Sequence, residues 1–271
     1  MILKKEDKQA AALRKELSSL TKKEEALKAV ALKAANPAWK VKLEEKVPEK
    51  VIDSLQAAFS KGFYLVFEKG TKIIEKAYDK KAIQQDYTIA DFAILIKGGR
   101  RELKKLRRQA QVSQFSNLSI TTAEGIGLGA LGIGLPDVVL FMGMLLKGIY
   151  ETALYFGFSY NSIQDRYLIL KMIEASLSTG DAWLRCNQEV DHLLEGQTVI
   201  TEQELKAQVQ QTATVFAMDM LLLKFIQGFP VVGVLGGAAN PVYYNKVIRY
   251  VQLKYNKHYL HNTYGKQMPV C

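Results

Sequence analysis

Residues 125–158 read GIGLGALGIGLPDVVLFMGMLLKGIYETALYFGF. Gly125, Gly127, Gly129, Gly132 and Gly134 crowd its start. Each glycine costs a water-exposed helix roughly 1 kcal/mol relative to alanine, so repetition implies use. Close approach of two backbones is one such use, and Gly125 and Gly129 have the GxxxG spacing that permits it. Thr121 and Glu124 form a T-x-x-E capping box that opens the glycine run as a helix rather than a strand. After Pro136 and Asp137, the residues Val138, Val139, Phe141, Met142, Leu145, Leu146, Ile149, Ala153 and Leu154 predict one long helix. It is apolar nearly all round until Lys147 and Glu151, so protein or lipid must enclose it.

Residues 228–260, GFPVVGVLGGAANPVYYNKVIRYVQLKYNKHYL, repeat the plan. Gly233 and Gly237 are again a GxxxG pair, and Gly237 precedes Pro241 by the interval that separates Gly132 from Pro136. The two pieces read as a weak internal duplication, two glycine-rich apolar helical hairpins. Between Glu124 and Lys147 only Asp137 is charged, and between Lys224 and Lys246 nothing is. Each window has roughly the 20 residues that cross a bilayer. Proline, the glycines and an acid midway argue against a clean span, because a mid-bilayer carboxylate costs about 3 kcal/mol on insertion scales. An interfacial hairpin and a wholly buried soluble core both remain open.

Outward from these segments the pattern is helical, and the fold class is all-α: a multi-helix globular domain with an N-terminal helical arm. A hydrophobic content of 48% is globular, and 24% charged residues argue against many membrane spans. Residues 1–36, rich in Lys, Glu and Ala, read as a solvated charged arm, and 37–271 as the helical domain. Val51, Leu55, Phe59, Phe63, Val66 and Phe67 predict a core helix, with Gly62 and Gly70 marking close contacts or a break. Thr88 with Asp91 reads as the start of the next helix, with Ile89, Phe92, Leu95 and Ile96 as its buried face, continuing into the basic run. Ser162 with Asp165 and Thr201 with Glu204 open further helices, and Gly180 and Gly196 stop two. The C-terminal YNKHYLHNTYG reads as a solvated helix end.

The formal charge is +10, which makes an anionic partner plausible. The main basic feature is KGGRRELKKLRR, with Lys97, Arg100, Arg101, Lys104, Lys105, Arg107 and Arg108. It suits a solvated helix face or anionic lipid headgroups, where each cation adds roughly 1 kcal/mol. It lacks the interleaved aromatics that stack bases, which argues against nucleic acid. Cys186, Cys271 and three histidines have no metal-ligand spacing, and no cofactor is implied. Gly127-Leu-Gly129-Ala-Leu-Gly132 matches GxGxxG, but no strand precedes it. Ser19 and Lys22 fit S-x-x-K on the charged arm, and His192, His258 and His261 have no triad spacing. Asp137, at the mouth of its helix, has a favourable place against the helix dipole. Asp219 lies on an apolar face and needs a partner, for which Arg166, Arg185 or Lys147 would serve. The N-terminus lacks the apolar region of a secretory signal, so a cytoplasmic protein is expected.

The stretch TTAEGIGLGALGIGLPDVVLFMGMLLKGIYETALYFGF resembles the glycine-rich run, LPD-like step and following helix of the EcsC family of bacterial proteins. KFIQGFPVVGVLGGAANPVYYNKVIRYVQLKY is similar to that family's C-terminal segment, and the resemblance covers roughly residues 40–262. Gly132, Asp137, Gly157, Gly233, Gly237 and Asn240 match its recurrent positions, though Pro241 directly after Asn240 departs from the pattern. The resemblance implies no defined activity and no catalytic residues. The family's name comes from a gene beside ABC-transporter components. Together these readings favour a non-enzymatic protein at the inner face of the cell membrane, touching anionic lipid or a membrane protein. The alternative is a soluble enzyme or ligand-binding module with a pocket near Asp137 and Asp219.

Overall fold

The computed structural model describes residues 2–34, 47–118, 136–196, 198–226 and 240–267. The protein is all-α: these residues form helices and the turns between them, and none of them is in a strand. Gly132, Gly233, Gly237, both GxxxG pairs and the Thr121–Glu124 box lie outside the described residues. The chain runs through α1 (Ile2–Lys33), α2 (Glu49–Leu65), α3 (Thr71–Glu75), α4 (Lys80–Lys97) and α5 (Arg100–Leu118). It continues through α6 (Pro136–Tyr155), α7 (Ile163–Leu177), α8 (Gly180–Leu194), α9 (Glu202–Ile226) and α10 (Asn240–Gln267).

The axis is α6. It begins at Pro136, where a missing N–H costs nothing. Val138, Val139, Phe141, Met142, Leu145, Leu146, Ile149 and Tyr150 are all buried, as are Lys147 and Glu151. Enclosure comes from α2, α4, α5 and α10, which pack around it. On the other side α9 lies against α2 and α7, and α7 against α8 and α10. Phe216 of α9 joins the halves: its ring centroid is 4.7 Å from that of Phe59, 5.7 Å from Phe141 and 5.7 Å from Tyr243.

Local chemistry sets several boundaries. At α7 the Ser162 Oγ accepts from the Asp165 N–H at 3.0 Å, and the Asp165 carboxylate accepts from the Ser162 N–H at 3.0 Å. At α9 the Glu204 N–H donates to Thr201 Oγ1 at 3.2 Å, and the Thr201 N–H to Glu204 Oε2 at 2.8 Å. These reciprocal pairs satisfy N–H groups that a helix start leaves orphaned. Between α2 and α3 the chain makes a π-helical turn, Val66–Gly70, rather than a break, and the Thr71 hydroxyl donates to the Val66 carbonyl at 3.1 Å. One extra residue per turn rotates the following face, so α3 presents different side chains than an unbroken α2 would.

Close approach through glycine is realised within α6 itself. A Cβ on Gly148 would stand 2.4 Å from the Tyr244 hydroxyl and 3.0 Å from Ile248 Cδ1, both on α10. Gly62 of α2 faces Val138 and Met142 of α6 with ordinary van der Waals room.

The N-terminal segment is where the fold departs most from expectation. Instead of a solvated arm, α1 packs on α10, α8 and α5, with Leu13, Leu20 and Ala31 buried. Two acids share that buried stripe. Glu16 is held by Arg107 and, at 3.7 Å, by Arg100. Glu24 meets Lys254, whose side chain is 0% exposed, and Lys257 at 2.5 Å. Lys254 also reaches Asp191 of α8 at 2.8 Å. A carboxylate at a core-facing helical position is tolerable only when cations meet it. The C-terminal stretch read as a solvated helix end is only partly so: Tyr255, Tyr259 and Leu260 are buried against the core, while His261 and Asn262 are exposed. Burial raises the Glu24 carboxyl, but Lys254 and Lys257 outweigh it and hold it below 4.5.

Two outcomes follow from this packing. Gly148→Ala should lower stability by about 1–3 kcal/mol in thermal melts, and Tyr244→Phe in the same chain should recover part of the loss. Glu24→Gln leaves the buried Lys254 ammonium with Asp191 as its one remaining carboxylate and should cost about 3 kcal/mol in denaturant titration at neutral pH. Because the folded carboxyl titrates lower than the unfolded one, its contribution is complete above pH 4.5 and disappears as pH falls through the folded value. The variant's melting temperature should therefore fall less steeply than the wild type's below pH 4.5.

Candidate functional site

The described surface carries one conspicuous combination, on the α4–α5 hairpin. Asp79 caps α4, its Oδ1 accepting from the Ala82 N–H at 2.9 Å. Thr88, read from the sequence as a helix start, is mid-helix, and its hydroxyl donates to the Gln84 carbonyl at 2.8 Å. Gly98 ends α4 at φ +44°, its N–H returning to the Ile94 carbonyl at 2.8 Å, and α5 starts two residues later. The basic run is thus a separate helix rather than a continuation.

The apolar face of α4 is also inverted from expectation. Ile83, Ala90 and Ile94 are buried, whereas Ile89 is 64% exposed, Phe92 63%, Leu95 48% and Ile96 51%. The helix is apolar on two sides. Its neighbours α5 and α6 take the side with the small Ala90, where helices approach closely, and the bulky row is left outward. Asp91 sits between the two sides and accepts from the Tyr259 hydroxyl at 2.7 Å.

Directly after the Gly98–Gly99 turn, α5 turns Leu103, Leu106 and Ala110 inward. Its outward cations are Arg101, Lys104, Lys105 and Arg108, with Lys97 at the end of α4. Arg100 and Arg107 are tied to Glu16 and so are partly neutralised. A row of exposed bulky apolar groups and a row of exposed cations therefore occupy neighbouring helices of one hairpin packed on α6.

The other sequence candidates do not gather at one place. Gly157 stands at φ +78° in the turn that closes α6, and a Cβ there would lie 2.3 Å from the Tyr87 ring, so only glycine fits. Asp219 pairs with Lys246 of α10, at 3.1 Å and 3.3 Å to its two oxygens, and not with Arg166, Arg185 or Lys147. Burial raises its carboxyl against the pull of Lys246. Asp137 and Asn240 are the second residue of α6 and the first of α10, and their side chains lie outside the described residues.

Sequence reasoning missed a second polar centre. The Tyr160 hydroxyl donates to Glu75 at 2.6 Å, Lys80 reaches the same carboxylate at 2.7 Å, and Tyr78 lies 2.8 Å from Tyr160. Tyr160 also stacks on Tyr150 with centroids 4.2 Å apart. Glu75 ends α3, Lys80 opens α4, Tyr150 lies in α6, and Tyr78 and Tyr160 stand in the turns after α3 and α6, so no helical spacing announces them. Cys186 is a buried free thiol, pushed up to about 11 by burial and by Glu174, which removes it as a nucleophile. Among the described residues no three His, Cys, Asp or Glu side chains are placed to hold a metal ion, and no helix is long and apolar enough to cross a membrane.

No curated protein and no solved structure matches the chain. A model of the EcsC protein family matches residues 11–260, beginning within α1 and ending in α10. The match takes in the packed N-terminal helix, the buried axis and both glycine segments, so the chain belongs to the EcsC protein family.

Proposed function

We propose that this protein is a non-enzymatic peripheral membrane protein that docks on anionic bilayers through the α4–α5 hairpin. The observation that carries the reading is the outward row of Ile89, Phe92, Leu95 and Ile96 beside the outward cations Lys97, Arg101, Lys104, Lys105 and Arg108. A water-soluble surface seldom leaves such a row uncovered. An interfacial helix needs both halves: an apolar face that enters the acyl boundary and cations that meet the headgroups. Each fully buried large apolar side chain contributes about 1.5–3 kcal/mol, and each lysine or arginine near the surface about 1 kcal/mol. The formal charge of +10 favours the same partner over longer range. A membrane protein with an acidic face is the other anionic surface of this kind, and protein-free vesicles separate the two.

The test is flotation with phosphatidylglycerol vesicles against phosphatidylcholine vesicles. The wild type should float with the anionic vesicles at low salt and be released as salt rises. Phe92→Ser should weaken flotation about tenfold or more, with little change in melting temperature because the ring is exposed. A protein that stays with the soluble fraction at low salt would refute bilayer docking. A Phe92→Ser variant that floats like the wild type would move the contact away from α4.

A further inference from the structure

A groove of about 360 Å³ runs between α1, α5 and α10, within the range of small-ligand sites. Leu20, Leu27 and Leu253 line it, the first and last almost wholly buried. Lys23 of α1, Arg107 of α5 and Arg249 of α10 also line it, and no carboxylate does. Arg107 is shared with Glu16. Lys23 and Arg249 are exposed and have no ion-pair partner among the described residues.

The polar lining is informative as well. Gln252 is fixed by its Nε2, which donates to the Ala110 carbonyl at 2.9 Å. Asn256, 5% exposed, also lines the groove, and its carboxamide makes no hydrogen bond among the described residues. Its amide atoms are not among those enclosed without a partner, so they open to the groove and are free to meet a ligand there. Leucines, two exposed cations without ion-pair partners among the described residues and an amide open to the groove together describe a site for a molecule with an anionic head and an apolar tail.

We infer that the groove binds one single-chain amphiphile with a phosphate head, the head against Arg249, Lys23 and the Asn256 amide, and the chain along Leu20, Leu27 and Leu253. Arginine suits this head because its planar fork gives two parallel hydrogen bonds to phosphate oxygens. The site uses none of the outward residues of α4, so it stands or falls separately from bilayer docking.

The experiment is titration calorimetry with oleoyl lysophosphatidate below its micelle concentration, alongside inorganic phosphate and dodecyltrimethylammonium. Saturable one-to-one binding of the lysophosphatidate is expected, with neither control binding. Arg249→Ala should weaken binding about tenfold, and Lys23→Ala with it further still; both side chains are exposed, so the fold is kept. Asn256→Leu should weaken binding with little change in melting temperature, a split that a purely structural amide would not give. Phe92→Ser should bind the lysophosphatidate normally, and Arg249→Ala should still float with anionic vesicles. Equal binding of the cationic amphiphile, unchanged affinity in Arg249→Ala, or no binding by the wild type would overturn the assignment.

Discussion

A helix that is apolar on every side cannot meet water, and the architecture is the enclosure of one such helix. From Val138 onward α6 is buried almost without interruption. Four helices surround it, and one of them, α10, comes close at Gly148, where the hydroxyl of Tyr244 takes the place of a side chain. The aromatic cluster at Phe216 then ties the α9 side to the same axis. Such a core is packed at the density of a solid, so each neighbour's position restricts the others.

Charge completes what apolar packing begins. Without Glu16 and Glu24, α1 would be a modest amphipathic helix with a thin leucine stripe. With them it is keyed to two places, Arg107 and Arg100 on α5 and Lys254 and Lys257 on α10. A buried ion pair adds little net stability compared with an apolar replacement, but it strongly disfavours any register in which one partner is alone. The N-terminal helix is thereby fixed as a wall of the α1–α5–α10 groove, and the family match beginning at residue 11 includes that wall.

The surface follows from competition for burial. The two apolar sides of α4 cannot both face α5 and α6, and the side with Ala90 packs more closely. What remains outward is a bulky row beside the cations of α5. Polar centres elsewhere, such as Asp219 with Lys246 or Glu75 with Tyr160 and Lys80, are satisfied within the protein and hold helices together.

The amino-acid order by itself determined the all-α class, the long buried helix after Pro136, and the starts of α7 and α9. These depend on neighbours three or four residues apart: 3.6-residue periodicity, a proline's missing donor, reciprocal caps. Even the docking of α1 left a trace, since Leu13, Glu16, Leu20 and Glu24 share one helical stripe. Only the tertiary structure decided which of two apolar sides of α4 goes inward, which lysine answers Asp219, and that the Lys254 ammonium lies beneath α1. Those choices depend on residues distant in the chain, such as Glu24 and Lys254, whose meeting no local spacing encodes.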